Sequence, residues 1–359
     1  MRINFVLPQI FVNTPIGGYK IIYRYCNALV AAGNDVTICF LSNSFAPFNR
    51  PNPFQLLRFV YHKFIKYHKA KIEWYDLDPK IKTILEKTPL KSTFPNADII
   101  IATAASTAQV VDSLPRSKGR HFYFVQHDES TFDIDYNTID TWSLDMHIMT
   151  IATWIKKRIE KVSKKSIDIV PNFIDAESFG LDVSPEQRSP VLSMLYNPQA
   201  VKGFSYGVAA LEEIKKNYPN VRIIMFGTFA RPQNIPFEFE YISKANNHQL
   251  RKIYNESSIY ILPSILEGWG LTAMDAMQCG AALVTTENGG VDDFTIDNFS
   301  AIKVPTRSGE ALAQGIEKML QDDDFRVKIA KNGTKSIQKF TFENSFKKFM
   351  DSITQSEEI

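Results

Sequence analysis

The chain has 359 residues, of which 44% are hydrophobic and 22% are charged, and its formal net charge is +2. This length predicts two domains, the composition is that of a globular protein, and the small net charge gives no support to nucleic-acid binding. Cys26, Cys39 and Cys279 match no disulfide or zinc pattern, and no apolar run reaches the roughly eighteen residues of a membrane span, so we expect a cytoplasmic protein.

The first half of the chain alternates predicted strands with predicted helices. A strand over residues 3–7 is followed by a loop over 8–18, a helix over 19–32 and a strand over 36–41. Further elements are a helix at 153–165 and strands at 97–102, 121–126, 147–152 and 167–170. This alternation is typical of a doubly wound parallel sheet. The spacing of Gly17 and Gly18 is not that of the dinucleotide fingerprint, and taken alone it also fits a plain turn.

Residues 51–75 follow a different pattern. Apolar side chains fall on one helical face and basic side chains on the other, the latter at Arg58, His62, Lys63, Lys66 and Lys69. Such a helix can lie on an anionic membrane surface, or it can pack on its own domain and solvate its lysines. The first interpretation predicts peripheral contact with the inner face of the membrane through residues 56–72.

The second half of the chain shows the same alternation. Its elements are helices at 204–216, 271–277, 309–320 and 340–353 and strands at 190–196, 221–226, 258–262, 282–286 and 301–304. The acidic run at 322–324 precedes a helix, and we interpret it as capping and dipole compensation rather than a metal site.

One turn in this half has the character of a ligand site. The strand at 258–262 leads through Glu267 into a helix that starts near Gly270, where free N–H groups and the positive end of the dipole favour phosphate. Asp275 lies about one helical turn further on, and two carboxylates beside a phosphate site suit a ligand rich in hydroxyl groups. The alternative is a crossover without a ligand, with Glu267 as a solvated turn residue.

The residues of this turn resemble the signature of the family-four retaining glycosyltransferases. The match consists of Pro263-Ser264, Glu267-Gly268-Trp269-Gly270-Leu271 and Asp275-Ala276-Met277. Trp269 replaces the usual Phe, and Asp275 replaces the Glu that the family uses on the ribose. The Gly17-Gly18 loop, the segment 171–175 and the Lys202-Gly203 pair resemble further family features in the expected order. Asn197 stands where the family has an Arg that holds the diphosphate.

The resemblance implies an α/β fold of the GT-B class, with two Rossmann-like doubly wound domains and a cleft between them. Residues 1–172 would form an acceptor-side domain and residues 173–339 a donor domain. A C-terminal helix within 340–359 would pack back on the first domain.

The resemblance also implies an activity and the residues that carry it out. The enzyme would move a hexose or deoxyhexose from a nucleotide diphosphate sugar to a glycan or lipid-linked saccharide in cell-surface polysaccharide synthesis, without a metal or another cofactor. Glu267 would bind the donor sugar. The other donor-binding residues would be Gly17, Gly18, Lys202, Gly227, Gly268, Trp269, Gly270, Leu271, Thr272 and Asp275.

The segment 123–129, with Phe132 after it, resembles the Gln-Asp-Tyr-Glu stretch of rhamnan-type polymer-synthesis transferases. It favours a rhamnosyltransferase-like enzyme in which His127 and Asp128 contact the substrate as the remaining catalytic candidates. Two other interpretations stay open, namely a nucleotide-sugar epimerase of the same fold and a non-catalytic subunit that binds sugar nucleotides.

Overall fold

The structure is a computed structural model that describes residues 1–41, 57, 61, 71–85, 94–131 and 138–355. The chain divides into two units, each with its own parallel β-sheet. Unit 1 consists of Met1–Pro171 together with Phe346–Ile359, and unit 2 consists of Asn172–Ser345.

The sheet of unit 1 has seven strands in the order β3-β2-β1-β4-β5-β6-β7, and neighbouring strands are parallel throughout. The strands are β1 (Arg2–Leu7), β2 (Asp35–Phe40), β3 (Lys82–Leu85), β4 (Ile99–Ala102), β5 (Arg120–Val125), β6 (His147–Thr150) and β7 (Ile167–Ile169). The helices are α1 (Gly17–Ala31), α2 (Ala105–Asp112) and α3 (Thr153–Ile159), with the end of α9 (Phe342–Gln355). All four residues of β4 are buried, because helices cover both faces of a parallel sheet.

Helix α9 begins in unit 2 and ends in the core of unit 1. The ring of Phe349 stacks on Tyr25 at 4.7 Å between centroids and lies 6.2 Å from Phe5. On the same helix, Ser352 Oγ donates to Asp168 Oδ2 at 2.6 Å, and that oxygen is also 2.8 Å from His147 Nε2. The apolar and polar contacts together make residues 346–355 part of the first sheet's packing.

The sheet of unit 2 has six parallel strands in the order β10-β9-β8-β11-β12-β13. The strands are β8 (Val191–Leu195), β9 (Arg222–Gly227), β10 (Glu240–Ser243), β11 (Ile259–Leu262), β12 (Ala282–Thr286) and β13 (Ile302–Val304). The helices are α4 (Phe204–Asn217), α5 (Asn247–Glu256), α6 (Leu271–Gln278), α7 (Gly309–Gln321) and α8 (Asp323–Ile337). Side chains of β11 alternate between the two faces, so Ile259 and Ile261 enter the core beneath α4 and α7 while Tyr260 points to the other face.

The two sheets share one topological feature that positions ligand sites. In each unit the first strand lies between the second and the fourth, as β1 lies between β2 and β4, and β8 between β9 and β11. Ligands of open parallel sheets bind beyond the carboxyl ends of the strands at such a switch point. In unit 2 the segments that leave this point are 196–203, after β8, and 263–270, after β11.

A buried arginine forms hydrogen bonds with the carboxyl-terminal ends of both α5 and α6. Arg188 is 7% exposed, and its guanidinium donates to the carbonyls of Tyr254 and Ser257 at 3.1 and 2.8 Å and to the carbonyl of Cys279. Burial lowers the pKa of Arg188 to about 10. The last carbonyls of a helix have no donors within the helix, so the Arg188 guanidinium supplies hydrogen bonds to such carbonyls at the ends of two helices.

The structure confirms some of the predicted elements and corrects others. The expected cap is confirmed, because Asp322 Oδ1 accepts from Phe325 N at 2.9 Å at the start of α8. The predicted helix over 153–165 is too long and ends at Ile159. The edge strands β3 and β10 were not predicted.

Most of the amphipathic segment 56–72 lies outside the described residues. Leu57 and Tyr61 are described, and both are helical and exposed. Membrane contact through this segment therefore stays a prediction. Among the residues that the structure describes, no helix combines the length and apolar character needed to cross a membrane.

Candidate functional site

An ion pair joins the two segments that leave the switch point of unit 2. Lys202 lies in a short 3₁₀ turn after β8, and its Nζ is 2.9 Å from Glu267 Oε2 in the turn after β11. Ser264 Oγ donates to the other carboxylate oxygen at 2.7 Å. The side chains of Lys202 and Glu267 are 22% and 12% exposed, so the pair is largely buried yet reachable from solvent.

Two glycines allow three chain segments to meet around Glu267. Gly203 has φ +62°, and a Cβ atom there would lie 2.0 Å from the carbonyl oxygen of Pro263. At Gly290, in the segment after β12, a Cβ would lie 2.6 Å from the Cβ of Glu267. In the same place the backbone N–H of Glu267 donates to Asn288 O at 3.1 Å. The close approach of these segments fixes the backbone from which the carboxylate projects.

The start of α6 is open to an anion. Gly270 precedes the helix with φ +92°, a left-handed conformation that glycine adopts without strain, and it provides no side-chain cap. The first carbonyl that accepts hydrogen bonds within the helix is that of Gly270, which accepts from the N–H groups of Ala273 and Met274. The N–H groups of Leu271 and Thr272 therefore precede the first intrahelical hydrogen bond. The first turn holds no acidic residue, and the positive end of the helix dipole is therefore not neutralised there.

The other predicted residues of this turn divide into exposed and buried positions. Thr272 and Asp275 are partly exposed along one side of α6. Gly268 and Trp269 are buried. The indole of Trp269 packs on Phe294, at 5.5 Å between ring centroids, and donates to Met274 Sδ at 3.5 Å, so its side chain anchors the turn by packing.

Gly227 lies at the end of β9, beside the end of β8. A Cβ at this position would lie 2.5 Å from Tyr196 O. Beyond it, Tyr241 Oη donates to Phe229 O at 2.7 Å, and the Tyr196 ring lies 6.3 Å from that of Phe229. Asn197, at the position of the family's arginine, accepts from Gln199 N at 3.0 Å and so shapes its own loop.

The sequence-predicted residues of unit 1 collect at the carboxyl ends of β1 and β5. Gly17 and Gly18 begin α1, and a Cβ on Gly18 would lie 3.3 Å from Oε1 of Gln126. His127 Nδ1 is 3.0 Å from Asp128 O. Asp128 is 1% exposed, forms an ion pair with an arginine of α3 and accepts from Ser130 N at 3.0 Å, so its carboxylate orders the loop.

Sequence reasoning did not select Glu129, which the structure places at the start of α2. Its carboxylate accepts from Ala105 N at 3.1 Å. Burial raises the pKa of Glu129 to about 7, and the charge of Asp128 acts in the same direction, against the hydrogen bond from Ala105. Glu129 belongs to the segment 123–129, from which His127 was selected. Its burial distinguishes it from a solvated loop residue, and burial cannot be read from the sequence of that segment.

The structure thus groups Lys202, Glu267 and α6 in unit 2, and groups the glycines of α1 with His127 and Asp128 in unit 1. Within the described ranges, no set of three or more His, Cys, Asp or Glu side chains is placed to hold a metal ion. The expectation that the chemistry needs no metal stays a prediction.

Part of the sequence matches the model of a known family. Residues 183–336 match the model of the family described as glycosyl transferases group 1. An uncharacterized glycosyltransferase of Methanocaldococcus jannaschii is 23% identical over 226 residues, which are 60% of this chain and 52% of that protein. The chain spans about half the length of the curated relatives it matches.

Two solved structures show the fold over the whole chain. Sucrose-phosphate synthase from Thermosynechococcus elongatus has a TM-score of 0.76 at 16% identity, with 99% of this chain and 98% of that chain covered. HepE from Anabaena, in complex with UDP and glucose, has a TM-score of 0.73 at 12% identity and coverages of 99% and 100%. The predicted fold class, α/β with two Rossmann-like domains of the GT-B type, is confirmed. The segment that holds Lys202, Glu267 and α6 is the one that matches the glycosyl transferases group 1 family.

Proposed function

We propose that the protein is a retaining glycosyltransferase that moves a hexose or deoxyhexose from a nucleotide diphosphate sugar to a saccharide acceptor. The observation that carries the proposal is the Lys202–Glu267 pair, at 2.9 Å, after the two strands of the switch point. The open start of α6 follows Glu267 in the same turn. The match of residues 183–336 to the group 1 family supports the assignment.

The donor diphosphate is proposed to bind at the start of α6. The N–H groups of Leu271 and Thr272 and the helix dipole favour a doubly charged group there, and the Lys202 ammonium adds a full positive charge. When the bond to the sugar breaks, negative charge grows on the diphosphate, and fixed donors in a partly buried site stabilise it. On this proposal the transfer needs no metal ion.

Glu267 is proposed to bind hydroxyl groups of the donor sugar. A carboxylate accepts strong hydrogen bonds from hydroxyls, and the turn holds this one rigidly through Ser264 and the backbone bond to Asn288. Asp275, on the partly exposed side of α6, is proposed to bind the ribose, with a side chain one methylene shorter than the family's Glu. Gly227 and the aromatic side chains around it are proposed to flank the base.

The acceptor is proposed to be a glycan or a lipid-linked saccharide of cell-surface polysaccharide synthesis, bound by unit 1 near His127. The resemblance of 126–132 to rhamnan-type transferases supports a donor sugar that is a deoxyhexose such as rhamnose. Phe132, the last residue of this resemblance, lies outside the described residues. A lipid-linked acceptor would agree with a cytoplasmic enzyme that works at the inner face of the membrane.

A donor screen tests the proposed function. Thermal unfolding is measured with UDP, GDP and dTDP, and the nucleotide that raises Tm is followed by turnover assays with its sugars and NMR assignment of the anomeric configuration of the product. We expect one nucleotide to stabilise the protein and the product to retain the donor's configuration. No shift with any of the three, together with no turnover, would refute the proposal.

The variant Lys202→Met tests the diphosphate contact separately. It removes the ammonium group and keeps most of the aliphatic stem, so the dissociation constant of the nucleoside diphosphate should rise about 10- to 150-fold, the effect of one hydrogen bond from a charged donor. Binding of the nucleoside alone should not change. The matched control is Lys331→Met, since Lys331 also pairs with a glutamate, Glu186, but on the exposed surface of the same unit. Equal losses for nucleotide and nucleoside would contradict the assigned contact.

A further inference from the structure

The loop over residues 294–300, between β12 and β13, exposes two large apolar side chains of unit 2. Ile296 is 62% exposed and Phe299 is 48% exposed. The loop itself is ordered by hydrogen bonds. Asn298 N donates to Ala301 O at 2.8 Å. Ile296 N donates to Ser300 Oγ at the same distance. Apolar side chains that an ordered backbone holds outside the core are pre-organised for contact with an apolar partner.

One face of α8 carries a row of lysines. Lys328, Lys331 and Lys335 are exposed and lie three and four positions apart, so they are neighbours along the helix surface. Lys331 forms an ion pair with Glu186. No ion pair joins Lys328 or Lys335 to another residue that the structure describes. The carboxylates of α8 are confined to its first turn, so the remainder of the helix carries only positive charge.

Two hydrogen bonds place the loop beside this row. Asn332 Nδ2 donates to Phe299 O at 2.9 Å, and Ser336 Oγ donates to Phe294 O at 2.8 Å. Asn332 lies four positions after Lys328, and Ser336 lies four positions after Asn332, so both border the row on one side. The loop and the helix therefore form one surface, which we call the α8 face. It consists of Ile296, Phe299, Lys328, Lys331 and Lys335.

The chemistry of the α8 face fits an anionic membrane better than another protein. Lysine is depleted at protein–protein interfaces, because its flexible and strongly hydrated side chain is costly to order and to desolvate. A two-fold contact with a second copy of the chain would set two lysine rows against each other. At a membrane surface, acidic headgroups attract lysines that keep their water, while apolar side chains beside them enter the boundary of the hydrocarbon.

We propose that the α8 face of unit 2 is a docking surface for membranes that contain anionic phospholipids. Its lysines lie at the level of the headgroups, and Ile296 and Phe299 enter the layer beneath them. This surface is separate from the basic segment 56–72 of unit 1. The inference goes beyond the proposed function and does not depend on it, because membrane binding is measured without a sugar donor or an acceptor.

Co-sedimentation of the full chain with lipid vesicles tests the proposal. Vesicles of phosphatidylcholine are compared with vesicles in which about one third of the lipid is phosphatidylglycerol. Each is measured at about 0.1 M and about 1 M salt, between which the Debye length falls from about 10 Å to about 3 Å. We expect the wild type to prefer the anionic vesicles and to bind them more weakly at the higher salt concentration.

A charge variant tests the lysine row. In the triple variant Lys328→Gln, Lys331→Gln and Lys335→Gln, the partition coefficient onto anionic vesicles should fall about 100-fold at low salt, because each lysine near such a surface contributes about fivefold. The matched control removes the same charge from three exposed lysines of unit 1 and should bind like the wild type. Its changes are Lys157→Gln, Lys161→Gln and Lys164→Gln.

An apolar variant tests the loop. Changing Ile296→Ser together with Phe299→Ser should lower the partition coefficient about 10-fold or more at both salt concentrations, because salt does not screen the burial of apolar surface. The matched control is Leu181→Ser with Val183→Ser, which changes side chains of the same unit that are 53% and 36% exposed. All substituted side chains are exposed, so every variant should keep the wild-type Tm.

Three results would overturn the inference. The first is a wild type that binds neither kind of vesicle. The second is an equal loss of binding in the lysine variant and its control, or wild-type binding in both. The third is a wild type that dimerises without lipid and becomes monomeric when Ile296 and Phe299 are changed, while vesicle binding persists. That result would assign the α8 face to a second copy of the chain.

Discussion

The ion pair at the switch point of unit 2 predicts that removing the charge of Glu267 strengthens nucleotide binding. In the absence of a ligand, the Lys202 ammonium is held by the carboxylate of Glu267, at 2.9 Å. A diphosphate that binds Lys202 must compete with this carboxylate. The variant Glu267→Gln removes the negative charge, keeps the size of the side chain, and leaves an amide oxygen that can still accept from Ser264. It should therefore strengthen nucleotide binding, even though it alters a residue of the proposed site.

The magnitude follows from the geometry of the pair. At 2.9 Å the attraction is roughly 6 kcal/mol for an effective dielectric constant of about 20. Desolvation of both groups and the remaining exposure of 22% and 12% reduce this to a net value of about 1–2 kcal/mol. Removing the competitor should lower the dissociation constant of the nucleoside diphosphate about 5- to 30-fold. Sugar transfer should fall about 100-fold, because the amide replaces a charged acceptor of sugar hydroxyls.

Calorimetric titration of wild type and Glu267→Gln with the nucleoside diphosphate measures the first effect, and initial rates with the sugar nucleotide measure the second. Glu186→Gln is the matched control, since Glu186 pairs with Lys331 on the surface and its loss should change neither quantity. The competition would be refuted by a dissociation constant that rises or stays the same in Glu267→Gln. Full transfer activity would refute the role of the carboxylate in sugar binding.

Three further predictions concern stability. Arg188→Met should lower the free energy of unfolding by about 3 kcal/mol or more, because buried carbonyls at two helix ends lose their donor; urea denaturation with a loss below about 1 kcal/mol would contradict it. For Glu129, whose pKa of about 7 exceeds the ordinary 4.5, the neutral carboxyl stabilises the fold fully below about pH 4.5, and this contribution is lost as pH rises through 7. In Glu129→Gln the free energy of unfolding should no longer fall between pH 5 and pH 8, as measured by denaturation at both pH values. An equal fall in the wild type and the variant would disprove the assignment. Gly203→Ala should destabilise far more than Gly33→Ala, since both glycines have positive φ but only the first would place a Cβ against Pro263 O; similar Tm values would show that the clash is relieved.

The sequence was most informative where local pattern and tertiary structure agree. Buried central strands such as β4 and β11 are continuous apolar runs followed by turn residues, and such runs are visible without a structure. The strands β3 and β10 were missed because they carry polar residues, as Lys82 and Glu240 show, whereas the other two edge strands, β7 and β13, were predicted. The helix predicted over 153–165 ends at Ile159, because the lysines that follow fit a helix or a solvated loop equally well.

The candidate site was predictable as a set of residues and not as a set of contacts. The turn at Glu267 and the loop at Lys202 follow from their motifs, but the two residues are 65 positions apart, and no local pattern shows that they form an ion pair. The buried Tyr260 hydroxyl, which has no hydrogen-bond partner among the described residues, is a further example, because a tyrosine in an apolar strand gives no sign of its burial. Such features depend on burial and on distant segments, which single-sequence reasoning does not provide.

The discontinuity of unit 1 has a consequence for how the protein is made. Its core includes Phe349, stacked on Tyr25, and the residues between Pro171 and Phe346 belong to unit 2. On the ribosome, the nascent polypeptide must therefore wait roughly ten to thirty-five seconds, at about 5–20 residues per second, before the missing piece emerges. During that interval Tyr25 lacks its stacking partner Phe349, so unit 1 can complete its core only after unit 2 has been translated.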